Sequence, residues 1–416
     1  MRIFNVYENI SITILLLSLI AFCIILVLTR SKYIPAKETG KKNSTKFAVI
    51  IPARYESAVI GGALESIKNS DYPEKLLTVF VIVESMADKT VGIVENYPFA
   101  KIYLRKDFSG QGKGYALDEC MKSILSCGEI FDAFVILDAD NVIDKKFFSE
   151  MDGAYRAGYP VACGRRENKY PEGVVSICSA LTFTFINVFK NSSHKRRGEN
   201  ALLTGTGYYV SYDVIKSLGG WRFHSLTEDY EFTAYTVLNG IDTTYVDTAI
   251  FYDEQPVSLK QSVIQRSRWI RGFFAVRLKY GLNKGVRKDA DGLKYLRFLS
   301  TLPVLVMAFD VIIYFLIVLL KTPITLFFDI SRAAFFGGRL AGVLISLYLI
   351  FALAGATLLF LNKDDRITFK NAVAATLFNP IFLFTYVICF VRALFIGDKW
   401  ERIEHINKEE RSGKAI

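Results

Sequence analysis

Twenty residues, Ile10 to Thr29, pass without a single charge. That length matches the ~30 Å hydrocarbon core of a bilayer, where a backbone satisfies its polar groups only inside a helix or a closed barrel. A cleaved signal peptide has a shorter apolar core and a small-residue cleavage site behind it. Here Arg30, Lys32, Lys37, Lys41, Lys42 and Lys46 follow, against a lone Glu38. This bias predicts an N-terminus outside and a cytoplasmic chain after residue 30.

Further apolar runs recur late in the chain, at Phe298–Leu320, Leu340–Leu361 and Ala372–Phe395. The first carries Asp310, a carboxylate that is costly in lipid unless it faces protein or water. The last contains Pro380, where a break or kink is expected. Four spans would leave the basic tail outside, which Lys399, Arg402, Lys408, Arg411 and Lys414 oppose. Either one run stops short of spanning, or Thr322–Gly337 adds an interfacial piece.

A hydrophobic share of 51% beside 22% charged residues fits this division into lipid-facing and soluble parts. The net charge of +10 matches the lysine bias of cytoplasmic flanks. Nucleic acid is not expected as a partner, because no basic–aromatic cluster is arranged to read bases. The six cysteines show no C-x-x-C spacing, which argues against a zinc site or a disulfide framework.

Between Phe47 and Tyr252 the pattern changes. β-rich runs at Phe47–Ile51, Leu77–Val83, Ala100–Leu104 and Ala133–Leu137 alternate with helically spaced segments at Val59–Lys68 and Lys113–Leu125. Such alternation predicts an α/β domain with a mostly parallel sheet, binding ligands at the carboxyl ends of its strands. The domain boundaries read 1–30 for the first membrane helix, 31–46 for a basic linker and 47–260 for the cytoplasmic domain. Residues 261–297 read as amphipathic interfacial helices, 298–396 as membrane helices and 397–416 as a basic tail.

Polar residues gather where strands should end. Glu84-Ser85-Met86-Ala87-Asp88 follows one run, and Asp138-Ala139-Asp140-Asn141 follows another. A carboxylate pair spaced i, i+2 at a strand end can present oxygens to a divalent cation that bridges phosphates. Thr227-Glu228-Asp229-Tyr230-Glu231 suits a helix start, with Thr227 as cap, and a carboxylate there can also act as a general base. Tyr252-Asp253-Glu254-Gln255-Pro256 reads first as a turn. Gly110–Gly114 precedes a helix and places Lys113 where an anion can be met, without the spacing of a Walker loop. Leu203–Tyr208 holds Gly205 and Gly207, as either a hairpin or a close backbone approach to a ligand. Gln261–Tyr280 is basic and aromatic, which suits the headgroup boundary. Of the three tryptophans, Trp269 and Trp400 suit interfacial anchoring, and Trp221 follows a glycine pair.

Taken in order, Pro52-Ala53-Arg54-Tyr55-Glu56, Glu84, Lys113-Gly114, Asp138–Asp140, Glu228-Asp229 and Gln265/Arg268/Trp269 resemble the family 2 inverting glycosyltransferases. The likeness is to their membrane-integrated branch of cellulose, chitin, hyaluronan and poly-N-acetylglucosamine synthases, and it covers Phe47 to Gly272 with the flanking helices. It implies a GT-A-type, Rossmann-like nucleotide-sugar domain inserted between transmembrane and interfacial helices, in a multi-pass protein of the cell membrane. Ala53, Glu56 and Glu84 would then hold the uridine of a UDP-sugar, with Lys113 near its diphosphate. Asp138 would contact the nucleotide, and Asp140 would ligate Mg²⁺ or Mn²⁺. Asp229, beside Glu228, would take the acceptor's proton as that hydroxyl displaces UDP from the anomeric carbon with inversion. Gln265 and Arg268 would steady the diphosphate and the acceptor end, and Trp269 would stack on the terminal sugar.

The sequence departs from the family pattern at Tyr55, often Asn, and at Glu84, more usually Asp. The implied activity is hexosyl or N-acetylhexosaminyl transfer to a growing polysaccharide, coupled to export, with a homo-oligomer or an export subunit as compatible partners. A single transfer to a lipid acceptor uses the same fold and base and suits the small number of membrane helices, whereas the complete Gln265/Arg268/Trp269 set favours polymer extension. A non-catalytic export subunit is a third reading, disfavoured because Asp138, Asp140 and Asp229 are all present.

Overall fold

The computed structural model describes residues 42–281, 330–362 and 364–397, with Thr13, Leu17 and Ile20 alone upstream. Most of the Ile10–Thr29 run, the Phe298–Leu320 run with Asp310, and the tail from Trp400 lie outside the described residues.

Eight strands form one sheet in the order β3-β2-β1-β4-β7-β6-β8-β5. They are β1 (Phe47–Pro52), β2 (Leu77–Val83), β3 (Ala100–Leu104), β4 (Ala133–Ile136), β5 (Val142–Ile143), β6 (Val161–Asn168), β7 (Tyr208–Ser211) and β8 (Thr243–Asp253). β1 to β4 pair in parallel, as the alternation of runs predicts. Beyond β4 the sheet turns mixed: β7 runs antiparallel to β4 and β6, and β5 antiparallel to β8. The sheet stays parallel at β6 and β8, and β7 is the strand that breaks the pattern, lying antiparallel between β4 and β6.

Helices α1 (Ile60–Lys68), α2 (Lys89–Val94), α3 (Lys113–Ser126), α4 (Phe147–Arg156), α5 (Val174–Phe185), α6 (Ser192–Arg197), α7 (Tyr212–Leu218) and α8 (Glu228–Leu238) surround this sheet. Side chains alternate across a strand, so β1 points Phe47, Val49 and Ile51 to one core and Ala48 and Ile50 to the other. The first core takes Ile60, Leu64 and Ile67 of α1 with Phe147, Phe148 and Met151 of α4. The second takes Leu117, Cys120 and Met121 of α3, Phe232 of α8, and Trp221. Burial on both faces explains why these strands read as unbroken apolar runs. Trp221 is fully buried against Phe223 and Phe232, so it is a core residue.

After the sheet come α9 (Leu259–Gly281), α10 (Ile330–Asn362) and α11 (Phe369–Phe395). The apolar runs at Leu340–Leu361 and Ala372–Phe395 fall within α10 and α11, and α11 continues helically through Pro380. Asn379, one residue earlier, donates from Nδ2 to the Phe351 carbonyl at 2.9 Å and packs on Gly355. A small residue opposite a polar one is a familiar way to join apolar helices.

Among the described residues, Val174–Arg197 and Phe369–Phe395 are long and apolar enough to cross a membrane. The 27 residues of α11 extend about 40 Å, more than the ~30 Å core. Val174–Arg197 is different. It leaves β6 and returns to the same sheet, where the Ala201 amide donates to the Thr243 carbonyl at 2.9 Å. A helix whose two ends belong to one folded domain does not pass through a bilayer. It lies against α11 instead, with Ile177 and Cys178 packed on Ala375 and Phe382.

Candidate active site

The strand order reverses between β1 and β4, and a ligand crevice is expected at the carboxyl ends of strands at such a switch point. Two connected cavities open there. The smaller, about 290 Å³, is lined by Ala53, Arg54, Glu56, Glu84, Arg105, Lys113, Asp138, Asp140, Arg166, Asp253, Gln265 and Arg268 among others. The larger, about 860 Å³, includes Glu228, Asp229, Trp269 and a long apolar wall. Lys113, Asp138, Arg166, Gln265 and Arg268 line both. The eleven residues to which the family resemblance gives roles therefore all border one continuous space.

Ala53 is held by its own amide, which donates to the Ile82 carbonyl at 2.8 Å. Glu84 lies in the smaller cleft, but its carboxylate already accepts from Arg54 Nε at 2.9 Å and Arg105 Nη1 at 3.1 Å. Arg105 is buried and also donates to the carbonyls of Asp107 and Gly110, both at 2.8 Å. Glu84 is thus tied to an arginine pair, and Arg105 had no motif to announce it.

Carboxylate oxygens of Asp138, Asp140 and Asp253 lie within 4.8 Å of one another. Asn141 Nδ2 bridges two of them, at 3.1 Å to Asp140 and 3.0 Å to Asp253. Arg166 grips Asp253, and Lys113 is ion-paired to Asp138. Three hard oxygen donors so close fit a divalent ion such as Mg²⁺ or Mn²⁺. Asp253 was read first as a turn residue. The usable signal was its place at the end of a β-rich run, the same position that marks Asp138.

Lys113 Nζ also donates to the Gly205 carbonyl at 2.7 Å and lies 3.9 Å from Glu228. Burial works against its charge, but Asp138, Glu228 and Asp229 outweigh it and hold its pKa above the usual lysine value. Gly205 has φ +89°, and a Cβ there would point at Asp229 Oδ2, 4.0 Å away. The segment turns tightly, with Thr204 and Thr206 bridged antiparallel, and sets its backbone against Lys113 and Asp229. Thr206 Oγ1 completes it by accepting from the Asp138 amide at 2.9 Å.

Glu228 and Asp229 open α8 and face Lys113 across the larger cavity. Thr227 makes no side-chain capping bond, contrary to expectation. Its side chain packs on Gly272 of α9 instead, where an added Cβ would meet Thr227 Oγ1 at 2.5 Å. Burial raises both carboxyl pKa values. For Glu228 the charges of Asp229 and Asp138 add to burial against the opposing pull of Lys113, and the value reaches about 8. For Asp229 burial outweighs the hydrogen bond from the Tyr230 amide and the charge of Lys113.

The α9 helix carries Gln265, Arg268 and Trp269 into the cavities, with Trp269 edge-on to Phe183 at 5.7 Å between ring centroids. Arg266 turns the opposite way, which corrects its reading as a headgroup-facing residue. It is 1% exposed, lies 4.0 Å from the Phe382 ring and 4.4 Å from the Tyr386 ring, and donates to Thr385 Oγ1 at 2.7 Å. Arg266 thus joins the helix that lines the site to α11.

The model described as "Glycosyltransferase like family 2" matches residues 44–272, more than half of the chain. Probable glycosyltransferase YdaM of Bacillus subtilis is 28% identical over 271 residues, 61% of this chain and 61% of that protein. Beta-monoglucosyldiacylglycerol synthase of Trichormus variabilis is 25% identical over 270 residues, 62% of this chain and 56% of its own length. The chain thus spans less than two thirds of the curated relatives it matches. The mannosyltransferase PcManGT of Pyrobaculum calidifontis, solved with GDP-Man and Mn²⁺, superimposes at a TM-score of 0.58 and 14% identity over 90% of this chain and 98% of that one. At such identity the likeness is one of fold.

Proposed function

The chain belongs to glycosyltransferase family 2, and we propose that it transfers one sugar from a nucleoside-diphosphate sugar to a lipid acceptor at the membrane, with inversion at the anomeric carbon. The carrying observation is the wall of the larger cavity. Tyr386, Val387 and Phe390 of the bilayer-length helix α11 line the same space as Asp229. An acceptor with an acyl or prenyl chain can rest on that wall while its headgroup meets the carboxylates. The beta-monoglucosyldiacylglycerol synthases among the relatives support the same reading.

In this reading the smaller cleft holds the donor. Ala53, Glu56 and the Glu84–Arg105 pair surround the nucleoside, and Lys113 and Arg268 stand by the diphosphate. A divalent cation held by Asp138, Asp140 and Asp253 supplies further charge neutralisation at the leaving group when bound. Asp229 accepts the proton of the acceptor hydroxyl as its oxygen attacks the anomeric carbon and the nucleoside diphosphate departs. Placing positive groups where negative charge develops is the larger contribution to rate. The basic residues after residue 30 support a cytoplasmic catalytic domain on a multi-pass protein.

Trp269 favours a second reading, extension of a polysaccharide, because an indole face stacks well on a sugar terminus. One experiment separates the two. Purified full-length protein is given Mn²⁺, labelled UDP- or GDP-sugars and diacylglycerol, and the products are partitioned between solvent and water. A solvent-soluble product with one sugar is expected; long water-soluble chains would replace the lipid reading with the polymer one.

A further inference from the structure

The 27 residues of α11 have the length and apolarity of a membrane span, but their contacts run along the catalytic domain. The turn before α11 is pinned to the sheet. Arg366 donates from Nη2 to the Asn168 carbonyl at 2.7 Å and from Nη1 to the Lys169 carbonyl at 3.2 Å. The end of α10 is held there too, where Asn362 Oδ1 accepts from Thr184 Oγ1 at 3.1 Å. From that point α11 runs parallel to α9. Leu259 packs on the apolar cluster that holds Ala375, and Arg266 lies on Phe382 and Thr385. Farther along, the Phe274 and Phe390 rings meet edge-on at 5.8 Å.

Helix α9 cannot carry its neighbour through lipid. Its last turns are tied to α8, by Arg277 on the Tyr230 hydroxyl at 2.9 Å and by Lys279 on Glu231. The Lys279 side chain is 59% exposed, and a charge held at the depth of the acyl chains is costly. From Phe369 to Phe390, α11 advances about 32 Å at 1.5 Å per residue. A hydrocarbon core of ~30 Å is thus used up while the helix still lies on α9. The stretch Val391–Phe395 is too short to cross.

The two faces of α11 differ. Ala375, Phe382 and Cys389 are buried, whereas Leu377, Ile381, Phe384, Ile388 and Val391 are each half exposed or more. Spacings of three and four put those five on one stripe. An apolar stripe on a helix laid flat suits the headgroup–acyl boundary, where it sinks about 5–10 Å. The apolar helix α10 adjoins it at the crossing of Asn379 and Gly355.

We propose that α11 lies in the plane of the cytoplasmic membrane boundary instead of spanning the bilayer, with this stripe seated in lipid. Such a placement requires a membrane-embedded chain but holds whichever acceptor is glycosylated. It also removes the conflict over the basic tail. Three remaining apolar runs, starting from an N-terminus outside, return Lys399, Arg402, Lys408, Arg411 and Lys414 to the inside.

Label depth tests this placement. Full-length protein carrying Cys23→Ala and Cys127→Ala receives Leu377→Cys, Phe384→Cys or Val391→Cys, a fluorophore on the new thiol, and reconstitution into phosphatidylcholine bilayers. Quenching is compared between lipids bearing a nitroxide at the headgroup and lipids bearing it deep in the acyl chain. All three labels are expected at one shallow depth. A spanning helix would carry the label about 21 Å along its axis from Leu377 to Val391, and a matching progression of depth overturns the proposal. Labels quenched by neither lipid would give the stripe to a protein partner, a second copy included, and overturn it equally. A second readout needs no change in α11. In sealed vesicles, Ser412→Cys and the native Cys127 should meet an impermeant maleimide from the same side, and labelling from opposite sides refutes the placement.

Discussion

The two cavities share a floor but are built from opposite materials. The smaller is laced with charge: Glu84 between two arginines, three aspartates against Lys113 and Arg166, few side chains left to move. The larger has a carboxylate edge and then runs out over Phe183, Ile270, Phe274 and Phe390. A charged, cross-braced cleft discriminates by geometry, because each displaced ion pair leaves a partner unmatched. An apolar wall accepts any chain of suitable width. The contrast suggests an enzyme strict about its donor and tolerant of acyl length, with acceptor choice decided at the headgroup.

The sharpest way to break this comparison is at the junction. Asp229→Asn should lower transfer by about 10²–10⁴-fold, the usual worth of a general base, while nucleotide binding by titration persists. Near-normal turnover would remove Asp229 from its role. Next in size is the aspartate cluster. Asp253→Asn should weaken Mn²⁺ activation on the order of 10–100-fold, read as a shifted metal-titration midpoint, and chelation should abolish activity reversibly. If Asp253 serves only to hold Arg166, activity should fall without any change in that midpoint.

Gly272→Ala tests how tightly the larger cavity's two sides are coupled. The new methyl meets Thr227 at a distance no real Cβ adopts, so α9 must shift away from α8. A loss of about tenfold in kcat/KM is expected, in line with the sensitivity of oriented groups to small displacements. Farther from the chemistry, Thr385→Val removes the acceptor for Arg266 Nη2. It should destabilise the described fold by about 1–3 kcal/mol, seen as a lower Tm in detergent.

The smallest effect concerns pH. Glu228 and Asp229 both have raised pKa values, so the base loses its charge as pH falls through a range above that of ordinary carboxylates. Activity should therefore rise with pH across that range. Glu228→Gln removes a neighbouring negative charge and should move this limb to lower pH. For stability the sign is opposite: a carboxyl with a raised folded pKa favours the fold at low pH, and that contribution is lost as pH rises through about 8. Glu228→Gln should flatten the alkaline fall in Tm.

Much of the site was legible because strand-end residues announce themselves. Asp138 and Asp140 follow an apolar run, Glu84 follows another, and Glu228-Asp229 begin a helix. Arg166 carried no such mark. Arg166 belongs to a strand, and it reaches Asp253 only because β6 lies beside β8.

What the sequence alone determined was the local chemistry and the order of its parts: an α/β domain of apolar strand runs alternating with helices, acids at strand ends, and apolar segments of bilayer length. Apolar runs and strand-end position are properties of neighbours along the chain, so they survive without coordinates. The tertiary structure alone decided that Asp253 joins the aspartate pair, that Arg266 faces α11 rather than headgroups, and that Asp229 looks onto an apolar wall. Each of these depends on contacts between segments about a hundred residues apart, set by sheet order and helix packing.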